Sequence, residues 1–321
     1  MNICKNIAWK TASVDKPLIF LIFNTACFGD VLLCNSLCQN IKHIFNNSRI
    51  VFVVDKKWVD VAKYQEGVDD VIVLDKQGVH KGFWGFVKFI KDFKYKKVFA
   101  SVITYKNERN YLLARLLGSK HILMDSKPLK LSTQEKHNHL LTQITNEQII
   151  NYPIKFNLPP CTANYLPEQF VPNEKYIVLC CISKDPVKDM PLNTAIELVK
   201  VFNREDIYKI VIIGTGNKTL EYSMAMEKAG CNFINMVNKT SILELGQVIK
   251  ASQGVISVDT GTMHYAYSLS VPTVAVFYEQ DKVQTWAPNS DIYNVKVITE
   301  NFSAENISYC FKNLLEEHKN V

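Results

Sequence analysis

Glycine is scarce in this chain: 12 occur in 321 residues, about half the usual ~7%, so each is expected where the backbone needs one. Neither G-x-G-x-x-G nor G-x-x-x-x-G-K-[ST] is present. Their absence removes most support for a nicotinamide enzyme or an NTP hydrolase. The nine cysteines (Cys4, Cys27, Cys34, Cys38, Cys161, Cys180, Cys181, Cys231 and Cys310) are odd in number and contain no C-x-x-C pair. They read as reduced thiols in a cytosol. Cys34 and Cys38, four apart on a predicted helix, have no His at ligand spacing and read as small buried apolar residues, so no metal site is expected. The polar start MNICKNIAWKTASVDKP leads into LIFLIF, far shorter than a secretory core or the ~20 residues of a spanning helix. The chain is expected to stay inside the cell and to cross no membrane.

The sequence is 47% hydrophobic and 21% charged, a profile that excludes disorder, collagen and small disulfide scaffolds. Its net charge of +6 is unevenly spread, with +9 in residues 1 to 150 and −3 in the rest. The length also favours two domains at roughly 100 to 200 residues each, and the basic half is expected to meet something anionic.

Continuous apolar runs of strand length (Leu18 to Phe23, Ile50 to Val54, Val71 to Leu74, Val98 to Ile103, Ile122 to Met124) alternate with predicted helices near 31–46, 57–65, 83–93 and 107–117. That pattern predicts a parallel sheet covered on both faces. Residues 151–172 hold five of the eleven prolines and read as a linker. Beyond it the alternation resumes, with strands at Tyr176 to Ile182, Lys209 to Ile213, Asn232 to Ile234, Gly254 to Val258 and Thr273 to Phe277. Helices are predicted near 192–203, 218–229, 241–250 and 262–269. The expected architecture is α/β, with two Rossmann-like doubly wound domains, residues 1–160 and 161–321, facing each other across a cleft. Ligands of such sheets bind beyond the carboxyl ends of the strands.

Candidate chemistry sits at those strand ends. The first strand runs through Asn24 to Gly29 into Asp30 and an apolar helix, so Asp30 is expected near a helix cap; capping alone is a sufficient structural reason for an Asp there. The most informative segment is Val255 to His264, a buried strand that breaks into Asp259-Thr260-Gly261-Thr262-Met263-His264 and opens a helix. Amides at a helix start attract phosphate, and Gly261 leaves room for a diphosphate. Lys188, in the loop after Ile182 and Ser183, has the charge to neutralise a phosphate, though loop lysines are usually solvated. Gly214 and Gly216 mark a turn near a ligand, and Glu221 has the chemistry to accept ribose hydroxyls, or is simply a surface charge. Residues 81–97 (KGFWGFVKFIKDFKYKK) mix lysines with aromatics and hold one acid, Asp92. Such a segment suits an anionic membrane surface, or is a packed helix with a charged outer face. No nucleic-acid motif accompanies the charge.

Phe28-Gly29-Asp30-Val31-Leu32-Leu33, Lys188-Asp189-Met190-Pro191, Asp259-Thr260-Gly261-Thr262-Met263-His264, Val271-Pro272-Thr273 and Trp286-Ala287-Pro288 together resemble the glycosyltransferase family 9 heptosyltransferases of lipopolysaccharide core assembly. The resemblance implies a GT-B fold and an inverting, metal-independent, cofactor-free transfer of heptose from ADP-heptose to the inner core (Kdo or heptose) of lipopolysaccharide. By it, Asp30 corresponds to the general base, Lys188 to the diphosphate-binding lysine, and Thr262, Met263 and His264 to the phosphate-binding helix start. Asp259 would contact donor sugar or acceptor hydroxyls and Glu221 the adenosine ribose, with Ser183, Gly214, Thr260 and Gly261 completing the donor side. Partners implied are an ADP-heptose-like nucleotide sugar, a lipopolysaccharide core acceptor and the anionic inner face of the inner membrane, with the last helix packing back on the first domain. Tyr278-Glu279-Gln280-Asp281-Lys282 stands where the family pattern has G-P-T-D-P. Two alternatives follow: a transferase of the same fold using another nucleotide sugar, or a non-catalytic sugar-nucleotide-binding regulator.

Overall fold

A computed structural model describes residues 16–105, 107–125, 129–160 and 174–319; Cys4, Cys161 and positions 161–172 of the proline-rich segment lie outside them. The chain divides into two compact units, Met1–Ile154 and Lys155–Val321.

In the first unit β1 (Leu18–Phe23), α1 (Phe28–Leu33), α2 (Asn35–Ile44), β2 (Ser48–Val54), α3 (Val59–Lys63), β3 (Asp70–Val73), α4 (Gly82–Asp92), β4 (Val98–Ile103), α5 (Glu108–Leu116), β5 (His121–Met124) and α6 (Thr133–His139) follow in chain order. The strands form one sheet in the order β3-β2-β1-β4-β5, and every pairing is parallel. Phe20 to Phe23 and Ile50 to Val54 are fully buried, as expected of strands covered on both faces, which read as unbroken apolar runs.

The second unit contains β6 (Tyr176–Cys180), α7 (Leu192–Glu205), β7 (Lys209–Ile212), α8 (Asn217–Lys228), β8 (Ile234–Asn235), α9 (Ile242–Lys250), β9 (Val255–Val258), α10 (Gly261–Ser268), β10 (Thr273–Val276), α11 (Gln280–Trp286), β11 (Val295–Ile298) and α12 (Ala304–Lys319). Its sheet runs β11-β10-β9-β6-β7-β8, again all parallel. Counted from its own first strand, each sheet has the order 3-2-1-4-5, and the second adds a sixth strand beyond the fifth. This is the doubly wound arrangement, in which the chain reverses its direction of travel beside the first strand and leaves a crevice at the carboxyl ends. The crevices therefore fall between β1 and β4 in one unit and between β6 and β9 in the other.

The single helix expected over 31–46 is two. Cys34 separates α1 from α2, its N–H bonding Val31 three residues back (3.3 Å) rather than four, a tightened turn that the apolar period does not reveal. Three elements had no counterpart in the sequence reading: α6, α11 and β11. The last helix, α12, packs on α7, β10 and β11 of its own unit.

Candidate functional site

In the second unit the crevice between β6 and β9 gathers most of the expected donor-side residues. The loop after β6 contains a single 3₁₀ turn, Pro186–Lys188, opened by Asp185, whose carboxylate accepts the Val187 N–H (3.4 Å). The loop is held at both ends: Ser183 N–H donates to Asp189 Oδ1 (2.6 Å), and Met190 N–H to the Cys181 carbonyl (2.9 Å) with its side chain in the core. Lys188 is thereby aimed at β9, where its Nζ lies 2.6 Å from Asp259 Oδ2; the two side chains are 18% and 6% exposed. The Ser183 hydroxyl donates to the Asp259 carbonyl (3.3 Å), joining the two strand ends directly.

Thr260 caps α10 with extended backbone and without a side-chain bond to the helix amides. The first amides of a helix have no acceptor within it and carry its positive dipole end. Met263 is an exception in this first turn: its N–H donates to the Thr260 carbonyl (3.1 Å) and its side chain is fully buried, so what the helix start presents are Gly261 and Thr262. The Thr262 side chain also bonds Cys180, whose thiol is pushed up by burial.

His264 lies one turn deeper. Burial, with a further contribution from the Lys188 charge, lowers its pKa from 6.5 to about 3, so the imidazole is neutral at physiological pH. Its Nδ1 is 2.6 Å from the Tyr267 hydroxyl, and burial raises the Tyr267 phenol well above its ordinary range. The protonated phenol can donate to Nδ1, an arrangement that leaves the histidine proton on Nε2. Trp286, at the end of α11, packs near both groups: its ring is 6.4 Å from that of His264 and 6.0 Å from Lys188 Nζ, within cation–π range.

Gly214 and Gly216 follow β7, the strand beside β6, with φ of +139° and +92°. Asn238 ties their turn down, donating its N–H to the Gly214 carbonyl (2.9 Å) and accepting the Gly216 N–H at Oδ1 (2.8 Å). Glu221 is exposed on α8. The residue of α8 that reaches the β6 loop is Lys218, paired with the buried Asp189 carboxylate. The sequence reading missed Lys218, Asp189, Trp286 and Tyr267 as site residues. The signals were a lysine two positions after the Gly214-Thr215-Gly216 turn, and Asp189 and Trp286 already inside family-like motifs.

In the first unit Asp30 occupies the third position of α1, at the carboxyl end of β1 beside β4. Its Oδ2 accepts the Cys27 N–H (3.3 Å), so the expected capping contact is made. Its carbonyl accepts from Asn24 Nδ2 (3.0 Å) and from the buried Cys34 thiol (3.3 Å). Lys76, from the loop after β3, donates to Thr25 Oγ1 (2.8 Å), and Trp58 Nε1 donates to the Ala26 carbonyl (3.0 Å). Among the described residues no group of three or more His, Cys, Asp or Glu side chains is placed to hold a metal ion.

Two all-parallel doubly wound units, one of them with a lysine and a helix start converging at its switch point, define the GT-B class of two Rossmann-like domains. The model of glycosyltransferase family 9 (heptosyltransferase) matches residues 130–313. That is more than half of the chain, which therefore belongs to this family and is a glycosyltransferase. Solved structures agree in fold. A family 9 glycosyltransferase from Veillonella parvula matches with TM-score 0.83 at 20% identity, over 95% of this chain and 99% of that one. The Escherichia coli ADP-heptose lipopolysaccharide heptosyltransferase II matches with TM-score 0.77 at 16% identity (94% and 99% covered). The E. coli heptosyltransferase WaaC, solved with ADP, matches with TM-score 0.75 at 15% identity (92% and 100%). No curated protein sequence matches the chain.

Proposed function

We propose that this protein is an inverting, metal-independent heptosyltransferase that moves heptose from ADP-heptose to the Kdo or heptose of a lipopolysaccharide inner core. The observation that carries the reading is the Lys188–Asp259 pair (2.6 Å) beside the start of α10, in a family whose solved neighbours include one with ADP bound. The acceptor hydroxyl attacks the anomeric carbon from the face opposite the nucleotide. The bond from that carbon to the diphosphate oxygen breaks, ADP leaves, and the hydroxyl proton passes to Asp30. The second unit stabilises the charge developing on the diphosphate through Lys188 and the Gly261–Thr262 helix start, the preorganised kind of stabilisation that dominates such reactions. His264, being neutral, can give the diphosphate a hydrogen bond from Nε2 without a full charge. Asp259 holds Lys188 in the free protein and, on this reading, contacts sugar hydroxyls when the donor is bound. The first unit takes the acceptor, which is lipid-linked, so the work is done at the inner face of the inner membrane.

ADP release from ADP-heptose, measured with defined Kdo-lipid A acceptors, tests the reading. Tyr278, its ring tilted against Phe302 (centroids 4.4 Å), opens the segment Tyr278-Glu279-Gln280-Asp281-Lys282 where the family pattern is G-P-T-D-P, and that departure favours a second reading with another base or sugar on the donor. A thermal-shift panel of nucleotide sugars separates the two, because a ligand that binds the folded form stabilises it by RT ln(1 + [L]/Kd). The largest shift is expected for ADP-heptose.

A further inference from the structure

The loop from β3 into α4 exposes large apolar side chains that nothing in the transfer chemistry uses. Trp84 is 79% exposed, Phe83 71% and Val79 62%. They are not on a loose tail. Between them His80 is buried, accepting the Asp75 N–H at Nδ1 (3.1 Å) and meeting the Phe89 ring edge-on (5.2 Å). Its carbonyl accepts from Arg109, whose guanidinium lies over Phe86 (5.8 Å). Gly85 packs so tightly beneath this turn that a Cβ there would fall 2.3 Å from the His80 backbone. The chain is thus fixed in a form that turns Phe83 and Trp84 outward, their rings edge to face at 5.4 Å, while Gly85 and Phe89 face the core.

Behind the aromatics the exposed face is cationic. Lys88 and Lys91 follow Trp84 at helical spacings of four and seven, Lys81 precedes it, and Lys94, Lys96 and Lys97 follow the helix, all exposed. The one acid in 81–97, Asp92, is already paired with Lys88 (2.7 Å). Aromatic side chains flanked by lysines match the chemistry of a bilayer interface, rings at the acyl boundary and ammonium groups at anionic headgroups. A dry protein interface instead excludes lysine from its core. The position also fits. This loop leaves the carboxyl end of β3, the same end of the sheet at which Asp30 follows β1, and Lys76 bonds it to the loop after β1.

We propose that the first turn of α4, with Phe83 and Trp84 as a wedge and Lys81, Lys88 and Lys91 around it, docks the first unit on an anionic lipid bilayer. The purpose rests on the reading of a lipid-linked acceptor; the docking does not need the transfer activity to be observed. The full-length protein should float with phosphatidylglycerol-containing vesicles and not with phosphatidylcholine alone. Phe83→Ser/Trp84→Ser should weaken that binding at least about tenfold, the effect of removing two inserted rings. Trp84→Phe should keep the binding but lose the blue shift and the quenching by brominated lipid that the wild type shows. Transfer to a lipid-free, truncated acceptor should be unchanged in the double variant, and a chain inert toward ADP-heptose would still bind vesicles. Equal binding to neutral and anionic vesicles, or undiminished binding by the double variant, would overturn the proposal. So would a double variant whose one change is loss of self-association in sedimentation, which would make the face a contact between copies of the chain.

Discussion

Lys188 does not wait in the free protein as a bare cation: its ammonium is compensated by Asp259 at 2.6 Å and flanked by the Trp286 ring. On the proposed reading an arriving diphosphate would share a lysine already in place, so its gain would be the difference between two charge-assisted arrangements and not a full ion pair formed from water. Lys188→Ala should weaken ADP binding by roughly ten- to a hundredfold, the range for a hydrogen bond to a charged group, as read by calorimetry; unchanged affinity would remove Lys188 from the donor site. Asp30→Asn should lower turnover by about 10²- to 10⁴-fold, the usual contribution of a general base, with ADP affinity intact. The loop positions of Lys188 and Asp259 were legible in the sequence, because a buried strand breaking into small polar residues before a helix has few other uses. The Lys218–Asp189 pair was not, since its members lie 29 positions apart on elements that only the β6–β7 pairing brings together.

Helices and strands were legible where they bury an apolar face and illegible where they do not. The helix α6, Thr-Gln-Glu-Lys-His-Asn-His, has no apolar period, yet Thr133, Gln134, His137 and Asn138 are buried. It packs through polar groups: Asn138 Nδ2 donates to Ser36 Oγ and Asn151 Oδ1 (2.9 Å each), and Gln134 Nε2 to the Tyr152 carbonyl (2.9 Å). The helix α11 buries no residue fully and β11 is a four-residue edge strand, so neither leaves a strong pattern. Scarce glycine was a fair guide at one element contact. A Cβ on Gly246 of α9 would lie 2.3 Å from the hydroxyl of Tyr265 on α10 and 2.6 Å from Leu158. Gly246→Ala should therefore destabilise by about 1–3 kcal/mol, the cost of overpacking a filled interior, measured by urea denaturation; a neutral variant would mean that α10 has room to shift.

At the level of the whole molecule, each unit carries a buried histidine whose pKa lies below the ordinary 6.5, about 4 for His137 and about 3 for His264, both chiefly through burial. The unfolded chain takes up protons at these positions that the folded chain refuses. Their contribution to stability is therefore complete above pH 6.5 and is lost as pH falls toward the folded values. Urea midpoints should decline on acidification below about pH 6.5, and a midpoint that rises there would contradict the assignment. The two-unit plan and both doubly wound sheets were legible from the alternation of apolar runs with helical periods. Which sugar and which base the second unit takes was not legible, because the segment Tyr278-Glu279-Gln280-Asp281-Lys282 departs from the pattern of the family the sequence resembles. The most direct test of the account is ADP release from ADP-heptose with a Kdo-lipid A acceptor, wild type against Asp30→Asn, with ADP binding measured in parallel. The account predicts acceptor-dependent release by the wild type and its near loss in the variant at unchanged ADP affinity. Absence of release with any core acceptor, or equal turnover by the two proteins, would contradict it.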